Sequence, residues 1–130
     1  GPAVDIRRMT ALQPGEILVA VRLPAKWAGA NFYFEKVADR NTWDFALVSI
    51  AAALKVEGGR IADSSLVCGA VGAVPHRLTA VQAAIRGSAK DEATAERAGK
   101  LAVEGAKPLN FNHFKIPLME NLVRRAIRDA

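Results

Sequence analysis

The spacing of the apolar residues changes at Pro75, from a period of two before it to a helical period after it. A period of two places alternate side chains on one face of a β-strand, whereas a period near 3.6 residues lines one side of a helix. Strands therefore come first along the chain and helices afterwards, an order typical of α+β domains. The pattern predicts an α+β fold in which an antiparallel sheet of three to four strands is followed by three helices packed on one face of the sheet.

Four strands are predicted before Pro75. Residues 16–23 alternate cleanly and end at Pro24, which cannot donate to a β-ladder. Gly58-Gly59 supply a tight turn of the kind that a hairpin needs, because glycine accepts positive φ at no steric cost. The predicted strands comprise residues 16–23, 31–38, 47–56 and 61–74.

Three helices are predicted in the second part of the chain. The first covers residues 78–86, and the second begins at a capping box formed by Ser88 and Asp91 and ends at Gly105. The third runs from Pro117 to the end of the chain, since proline is accepted in the first turn of a helix. The residues predicted to face inward from the last two helices are Ala95, Ala98, Leu101, Ala102, Leu118, Leu122, Val123, Ala126 and Ile127.

The third predicted strand carries small or apolar residues on both of its faces. Antiparallel sheets that are covered on one side normally show polar residues on the other. We therefore expect another domain or a partner chain to approach the second face closely. The first face comprises Val48, Ile50, Ala52, Leu54 and Val56, and the second face comprises Leu47, Ser49, Ala51 and Ala53.

The length indicates one domain, residues 1–130, with residues 1–11 expected to be partly tag or linker because they begin with Gly1-Pro2. Cys68 is the only cysteine, which excludes an intrachain disulfide and a cysteine-built metal or iron–sulfur site. No apolar run reaches the ~18 residues of a membrane span, so no membrane contact is expected. The net charge of +5 and the pI of 9.8 allow a nucleic-acid partner, but the basic residues are spread along the chain. Nucleic-acid binding is therefore the weakest of the functions considered and is not expected.

Motifs of catalysis and of phosphate binding are absent from the sequence. His76 and His113 lack a neighbouring carboxylate cluster with metal-ligand spacing, and we expect surface or capping roles for both. The glycines of residues 69–75 fall within a predicted strand, and Pro75 intervenes before the next helix. They do not form the glycine turn into a helix N-terminus that cradles a phosphate. We predict no catalytic residue and no metal ligand in this chain.

A charged stretch before the third predicted strand is the candidate site. Lys36, Arg40 and Asp44 recur at four-residue spacing, and Trp43 stands beside the carboxylate. One interpretation is a binding site whose border includes the aromatic ring. The other is a solvated loop with an Arg40–Asp44 ion pair of little energetic value, and the residues by themselves favour this second interpretation.

Four segments of the chain occur in the same order in one protein family. They are LQPGEILVAVRLP, FEKVADRNTWDFALVSIAAALKVEGGRI, CGAVGAVPHRL and GAKPLNFNHFKIPLMENLVRRAI. Through them the sequence resembles the C-terminal domain of the FAD-binding, or medium, subunit of molybdenum hydroxylases, the group of xanthine dehydrogenase, aldehyde oxidoreductase and carbon monoxide dehydrogenase. The resemblance runs from about Leu12 to Ile127.

The resemblance implies an α+β sandwich of three or four strands and three helices, within an oxidoreductase but without catalytic residues of its own. In the family, two preceding domains hold most of the FAD, and the C-terminal domain closes against the flavin from one side. By motif position, Leu18 and Lys36 match residues that touch FAD, and Arg40 and Asp44 match a charged loop near the isoalloxazine ring. These four are the predicted cofactor-binding residues, with FAD as the cofactor of the intact subunit.

The resemblance also implies partners for this domain. The FAD-binding N-terminal domains of the same subunit would dock on the small-residue face of the third strand, and the domain would shield and tune the flavin. Molybdopterin and iron–sulfur subunits would complete a complex that we expect in the cytoplasm, with a periplasmic complex as the alternative. A different class of function stays open: a freestanding interaction module that shares the fold and does not bind flavin.

Overall fold

Residues 31–77 form one antiparallel sheet in the computed structural model, which describes residues 1–130. The strands lie in chain order across the sheet, so each one pairs with its sequence neighbour. Their bounds are β1 (Asn31–Val37), β2 (Val48–Glu57), β3 (Arg60–Gly69) and β4 (His76–Arg77). With the three helices that follow, this confirms the α+β class and the order of strands before helices.

The hairpin between β2 and β3 forms at the predicted glycine pair. Gly58 and Gly59 have φ angles of +55° and +75°, and Glu57 lies opposite Arg60. Two consecutive residues with positive φ give the turn a twist that matches the twist of the flanking strands. The local sequence therefore determines where this hairpin turns.

Three helices follow the sheet, but their ends differ from the prediction. They are α1 (Thr79–Ile85), α2 (Glu92–Ala102) and α3 (Lys115–Asp129). The cap of α2 is Asp91, whose carboxylate accepts the Thr94 N–H at 2.8 Å. The predicted capping box at Ser88 is wrong, because the Ser88 hydroxyl accepts a hydrogen bond from Arg97 instead.

The core lies between the helices and one face of the sheet. On β2 this face includes Val48, Ile50 and Leu54, all of which are fully buried, as the alternation predicts. The helices contribute residues at helical spacing to the same cluster. Of the predicted inward residues, those that are buried are Ala95, Ala98, Leu122, Val123, Ala126 and Ile127, whereas Leu101, Ala102 and Leu118 are half-buried.

Two of the predicted strands are wrong in whole or in part. Residues 16–23, which we call the arm, are not a strand: from residue 17 to residue 23 they make no hydrogen bond, and their apolar side chains are exposed. The strand predicted over residues 61–74 ends at Gly69, because Ala70 takes a positive φ of 62° that a β-ladder cannot continue. The chain rejoins the sheet only at β4.

Helices α2 and α3 approach each other closely at Gly99. A Cβ atom at this position would lie 2.8 Å from the carbonyl oxygen of Glu120 on α3. A backbone oxygen cannot move aside as a flexible side chain can, so the absence of a side chain is what allows this helix packing.

We expect Gly99→Ala to lower the free energy of unfolding by roughly 1–3 kcal/mol, because the added methyl group forces α2 and α3 apart. Helix propensity alone predicts the opposite sign, a gain of about 1 kcal/mol. Urea denaturation of the chain measures the change. Lys100→Ala, at the exposed neighbouring position, is the control and should change the stability by less than about 0.5 kcal/mol. A more stable Gly99→Ala variant would contradict the close approach.

A cluster of three polar side chains fastens β1 to α3. The Tyr33 hydroxyl donates a short hydrogen bond to the Glu35 carboxylate, and Arg125 Nη2 lies 2.8 Å from Glu35 Oε1. Burial, reinforced by the hydrogen bond and the negative charge of Glu35, raises the pKa of Tyr33 to about 12. The edge strand is thus held to the helical layer by an ion pair as well as by apolar packing.

Tyr33 is the only tyrosine, so the absorbance change on phenol ionisation reports on it alone. We expect a midpoint of about 12 in the folded chain and of about 10 in denaturant. Because folding raises this pKa, the stabilisation is complete below pH ~10 and is lost as the pH rises toward the folded-state value. Glu35→Gln should shift the folded midpoint toward 10. Equal midpoints in the folded and denatured chains would contradict the cluster.

Candidate functional site

The sheet face opposite the helices is open and carries the first part of the candidate site. Phe32, Phe34 and Lys36 alternate along β1 toward this face, and both phenylalanines are about 70% exposed (68% and 70%). Ala51 of β2 lies between Phe34 on one side and Val67 of β3 on the other. Two large aromatic rings on an uncovered sheet face indicate a surface that binds something.

The second face of the third predicted strand, where we expect another domain or a partner chain to approach, is uncovered only in part. Ala51 is exposed, whereas Ala53 is 8% exposed and so belongs to the buried residues. The small side chains of β2 are flanked by the larger residues of β1, so the binding surface is formed mainly by Phe32 and Phe34. These two residues were missed as site residues. The sequence showed that they share a strand face with Lys36, because alternate residues point the same way. It did not show which of the two faces is covered by the helices.

The loop between β1 and β2 carries the second part of the site and is braced by its own charged residues. Lys36 Nζ donates to the Asp44 carbonyl oxygen at 3.0 Å. The Asp44 carboxylate accepts the Arg40 backbone N–H at 2.9 Å, and Arg40 Nη2 donates to the Trp43 carbonyl oxygen at 2.8 Å. Each of the three charged side chains therefore holds a main-chain group of the loop.

The four-residue spacing of Lys36, Arg40 and Asp44 therefore reflects hydrogen bonds to the loop main chain and not an ion pair. The Arg40 guanidinium and the Asp44 carboxylate do not pair with each other, so the ion pair expected of a solvated loop is absent and that expectation was wrong. The bracing instead fixes the loop in one shape, with Trp43 at a positive φ of 53° and its side chain 94% exposed. Such a backbone conformation is costly for a bulky residue and persists only where its surroundings hold it.

The structure brings together three of the four predicted cofactor-binding residues. Lys36, Arg40 and Asp44 are linked by hydrogen bonds at one end of the sheet. Leu18 is not part of this group, since it lies on the arm with its side chain 67% exposed. The spacing of the three charged residues in the sequence indicated that they belong together. The prediction for Leu18 depended on the family resemblance alone.

Other groups in the chain do not form a second site of the usual kinds. No group of three or more His, Cys, Asp or Glu side chains is placed to hold a metal ion. Cys68 is buried, and burial raises the pKa of its thiol to about 11, which leaves it unreactive. The glycine run after β3 leads into β4 rather than into a helix N-terminus. None of the helices combines the length and apolar character that a membrane span requires.

The three arginines of α3 are engaged in ion pairs within the chain. Arg124 pairs with Glu92 of α2 and Arg125 with Glu35 of β1, while Arg128 pairs with the adjacent Asp129. A nucleic-acid interface needs cations that are free to replace counterions along the phosphate backbone. These three arginines instead fasten the helix to its neighbours or neutralise a carboxylate.

Comparison with known proteins assigns the chain to a family. Residues 33–130 match the family described as CO dehydrogenase flavoprotein C-terminal domain. The chain is 34% identical to the aldehyde oxidoreductase FAD-binding subunit PaoB of Escherichia coli, covering 93% of this chain and 35% of that protein. It is 26% identical to the carbon monoxide dehydrogenase medium chain of Afipia carboxidovorans, covering 93% of this chain and 43% of that protein.

A solved structure shows the same fold. Quinoline 2-oxidoreductase from Pseudomonas putida 86 superposes with a TM-score of 0.71 and 30% identity, over 78% of this chain and 37% of that one. The chain thus spans well under half the length of the curated relatives it matches. It belongs to the CO dehydrogenase flavoprotein C-terminal domain family, the domain found in FAD-binding subunits of molybdenum hydroxylases.

Proposed function

We propose that this chain is the flavin-proximal domain of the FAD-binding electron-transfer subunit of a molybdopterin-dependent hydroxylase, of the xanthine or aldehyde oxidoreductase type. Further domains of the same subunit hold most of the FAD, and this domain covers one side of it. The observation that carries the proposal is the position of Lys36 on an uncovered sheet face beside Phe34, next to a loop held rigid by hydrogen bonds. The family to which the chain belongs supports this role.

The residues present fit one half of a flavin site. Lys36 uses one N–H of its ammonium group for Asp44, which leaves further donors and a positive charge for an electron-rich ring edge. Phe34 adds an apolar surface that excludes water. The chain offers no glycine loop that leads into a helix N-terminus, the usual cradle of a dinucleotide pyrophosphate. The ring side of the cofactor therefore suits this domain, and the pyrophosphate side belongs to another domain.

Each site residue has a distinct task in this proposal. Bound FAD would supply the electron transfer itself, between the iron–sulfur clusters of the complex and an external acceptor. Lys36 places a positive charge at the edge of the cofactor. Phe34 provides an apolar surface beside the cofactor. Arg40 and Asp44 act as positioning residues, because their hydrogen bonds hold the loop on which the Lys36 ammonium rests. Substrate oxidation at molybdenum takes place in a different subunit.

A complex of this kind also implies partners for the domain. The partners are the FAD-binding domains of the same subunit together with the molybdopterin and iron–sulfur subunits. We propose the cytoplasm as the compartment, with a periplasmic complex as the alternative. The competing function is a freestanding interaction module with the same fold, for which the exposed Phe32 and Phe34 would bind a protein partner. The length of the natural reading frame and the flavin content of its product distinguish the two.

One test of the proposed function concerns the charge of Lys36. In the complete subunit, Lys36→Met should lower the flavin midpoint potential or reduce the FAD content, because a nearby cation stabilises the negative charge that the flavin gains on reduction. A screened contribution of about 1 kcal/mol corresponds to roughly 20 mV for two electrons. Spectroelectrochemical titration with a parallel FAD assay measures both quantities.

The matched control for this experiment is Lys55→Met. Lys55 lies on the same open face of the sheet but opposite Asp63, at the other end of β2. It should leave the potential and the FAD content unchanged, since its charge is remote from the braced loop. Unchanged values in the Lys36→Met subunit as well would remove Lys36 from the site.

Another test concerns the 130-residue chain by itself. We expect it to bind FAD weakly, with a dissociation constant above the micromolar range, because it lacks a cradle for the pyrophosphate. Fluorescence titration of FAD into the purified chain tests this. Stoichiometric flavin after purification, or a sub-micromolar endpoint, would contradict the division of the site between two domains.

A further inference from the structure

The arm is an exposed apolar segment whose backbone is unpaired. From residue 17 to residue 23 no backbone or side-chain group makes a hydrogen bond. The exposed fractions of its side chains are 81% for Ile17, 67% for Leu18, 91% for Val19, 74% for Val21 and 86% for Leu23. A segment so rich in β-branched residues, with its whole backbone unpaired, has the composition of a strand and lacks only a neighbour.

The alternation of the arm indicates what kind of neighbour it fits. Ile17, Val19, Val21 and Leu23 share one face, and Leu18 and Ala20 share the other with Arg22. A strand with one wholly apolar face and a second, mostly apolar one is suited to a sheet that is covered on both sides. Such a strand gains its main-chain hydrogen bonds and buries its side chains in the same step.

The arm is not paired with the sheet of this domain. A short 3-10 helix (Ala25–Trp27) follows the arm directly, and Lys26 Nζ lies 3.4 Å from Asp63 Oδ2 on β3. This contact ties the start of the folded domain to β3, two strands away from the free edge of β1. The arm itself makes no hydrogen bond to β1.

The arm lies outside the residues that match the family domain, but it lies within the alignment with a longer relative. The family match begins at residue 33, whereas the alignment with the Escherichia coli subunit covers 93% of the chain and so extends across the arm. This chain covers 35% of that relative, so about two thirds of the relative's length lies outside the match. That relative therefore has further polypeptide beside the segment that matches the arm.

We propose that the arm is a β-strand of a sheet formed by the remainder of the polypeptide, to which it is added by main-chain hydrogen bonds. The odd-numbered face of the arm packs into the core of that neighbouring domain, and Leu18 points away from it. The inference rests on the proposed function only in requiring that further domains exist in the subunit. The arm then joins the two domains through shared strand pairing, and the open sheet face is held against the neighbouring domain by this connection.

Hydrogen–deuterium exchange of the wild-type protein tests the proposal without any variant. The complete gene product is compared with the 130-residue chain, which has its own core. We expect amides 17–23 to exchange at the intrinsic rate in the short chain and at least about 100-fold more slowly in the complete product. Equally fast exchange in both proteins would overturn the proposal.

Protection of the arm within the short chain would also overturn it, in one of two ways. Protection that does not depend on protein concentration would mean that the arm pairs with β1 of its own domain. Protection that grows with concentration would mean that it pairs with a second copy of the chain. FAD content is assayed on the same samples, so a protected arm in a flavin-free product would support the strand pairing and contradict only the proposed function.

A pair of variants adds a second readout. Val21→Asp places a charge on the face that packs into the neighbouring domain, whereas Val4→Asp places one at a position that is 94% exposed and lies outside the arm. In the complete product, Val21→Asp should raise the exchange rate of amides 17–23 by at least about tenfold, and Val4→Asp should leave it unchanged. Equal exchange rates for the two variants would contradict burial of the arm.

Discussion

The fold depends on the burial of one face of β2 beneath the helices. Val48, Ile50 and Leu54 are fully buried on this face, and α3 supplies Val123 and Ile127 to the same core. Side chains alternate between faces with a period of two, so a shift of β2 by one residue would bring its serine and alanine face into the core and expose the large residues. The register of β2 is therefore strongly specified, and the strands that pair with it take their positions from it.

The environment of the candidate site follows from this register. Lys36 lies opposite Ser49 and points to the open face, while its neighbour Glu35 lies opposite Ile50 and points to the helices, where it meets Arg125. Two adjacent charges thus have unrelated tasks. One fastens the edge strand to α3, and the other stands where a cofactor or partner can reach it. The loop that follows uses its charges to hold its own main chain, which gives the site a defined shape before anything binds.

The amino-acid sequence by itself determined the features that depend on near neighbours. Gly58-Gly59 specify the hairpin turn because the positive φ values are a local requirement, and the spacing of Leu122 and Ile127 specifies the buried side of α3. The four-residue spacing of Lys36, Arg40 and Asp44 likewise marked the loop as a unit. In each of these cases the residues that decide the structure lie within a few positions of one another.

Only the tertiary structure decided the features whose hydrogen-bond partners come from elsewhere. Ser88 has the right spacing for a cap, but its hydroxyl accepts a hydrogen bond from Arg97, and Asp91 caps α2 instead. The arm has the pattern of a strand, yet a strand exists only where a neighbour accepts its main-chain hydrogen bonds, and no strand within residues 1–130 pairs with it. The choice of face for Lys36 was undecided for the same reason. Alternation shows which residues share a face, and only the packing of α3 on the sheet shows which face is covered.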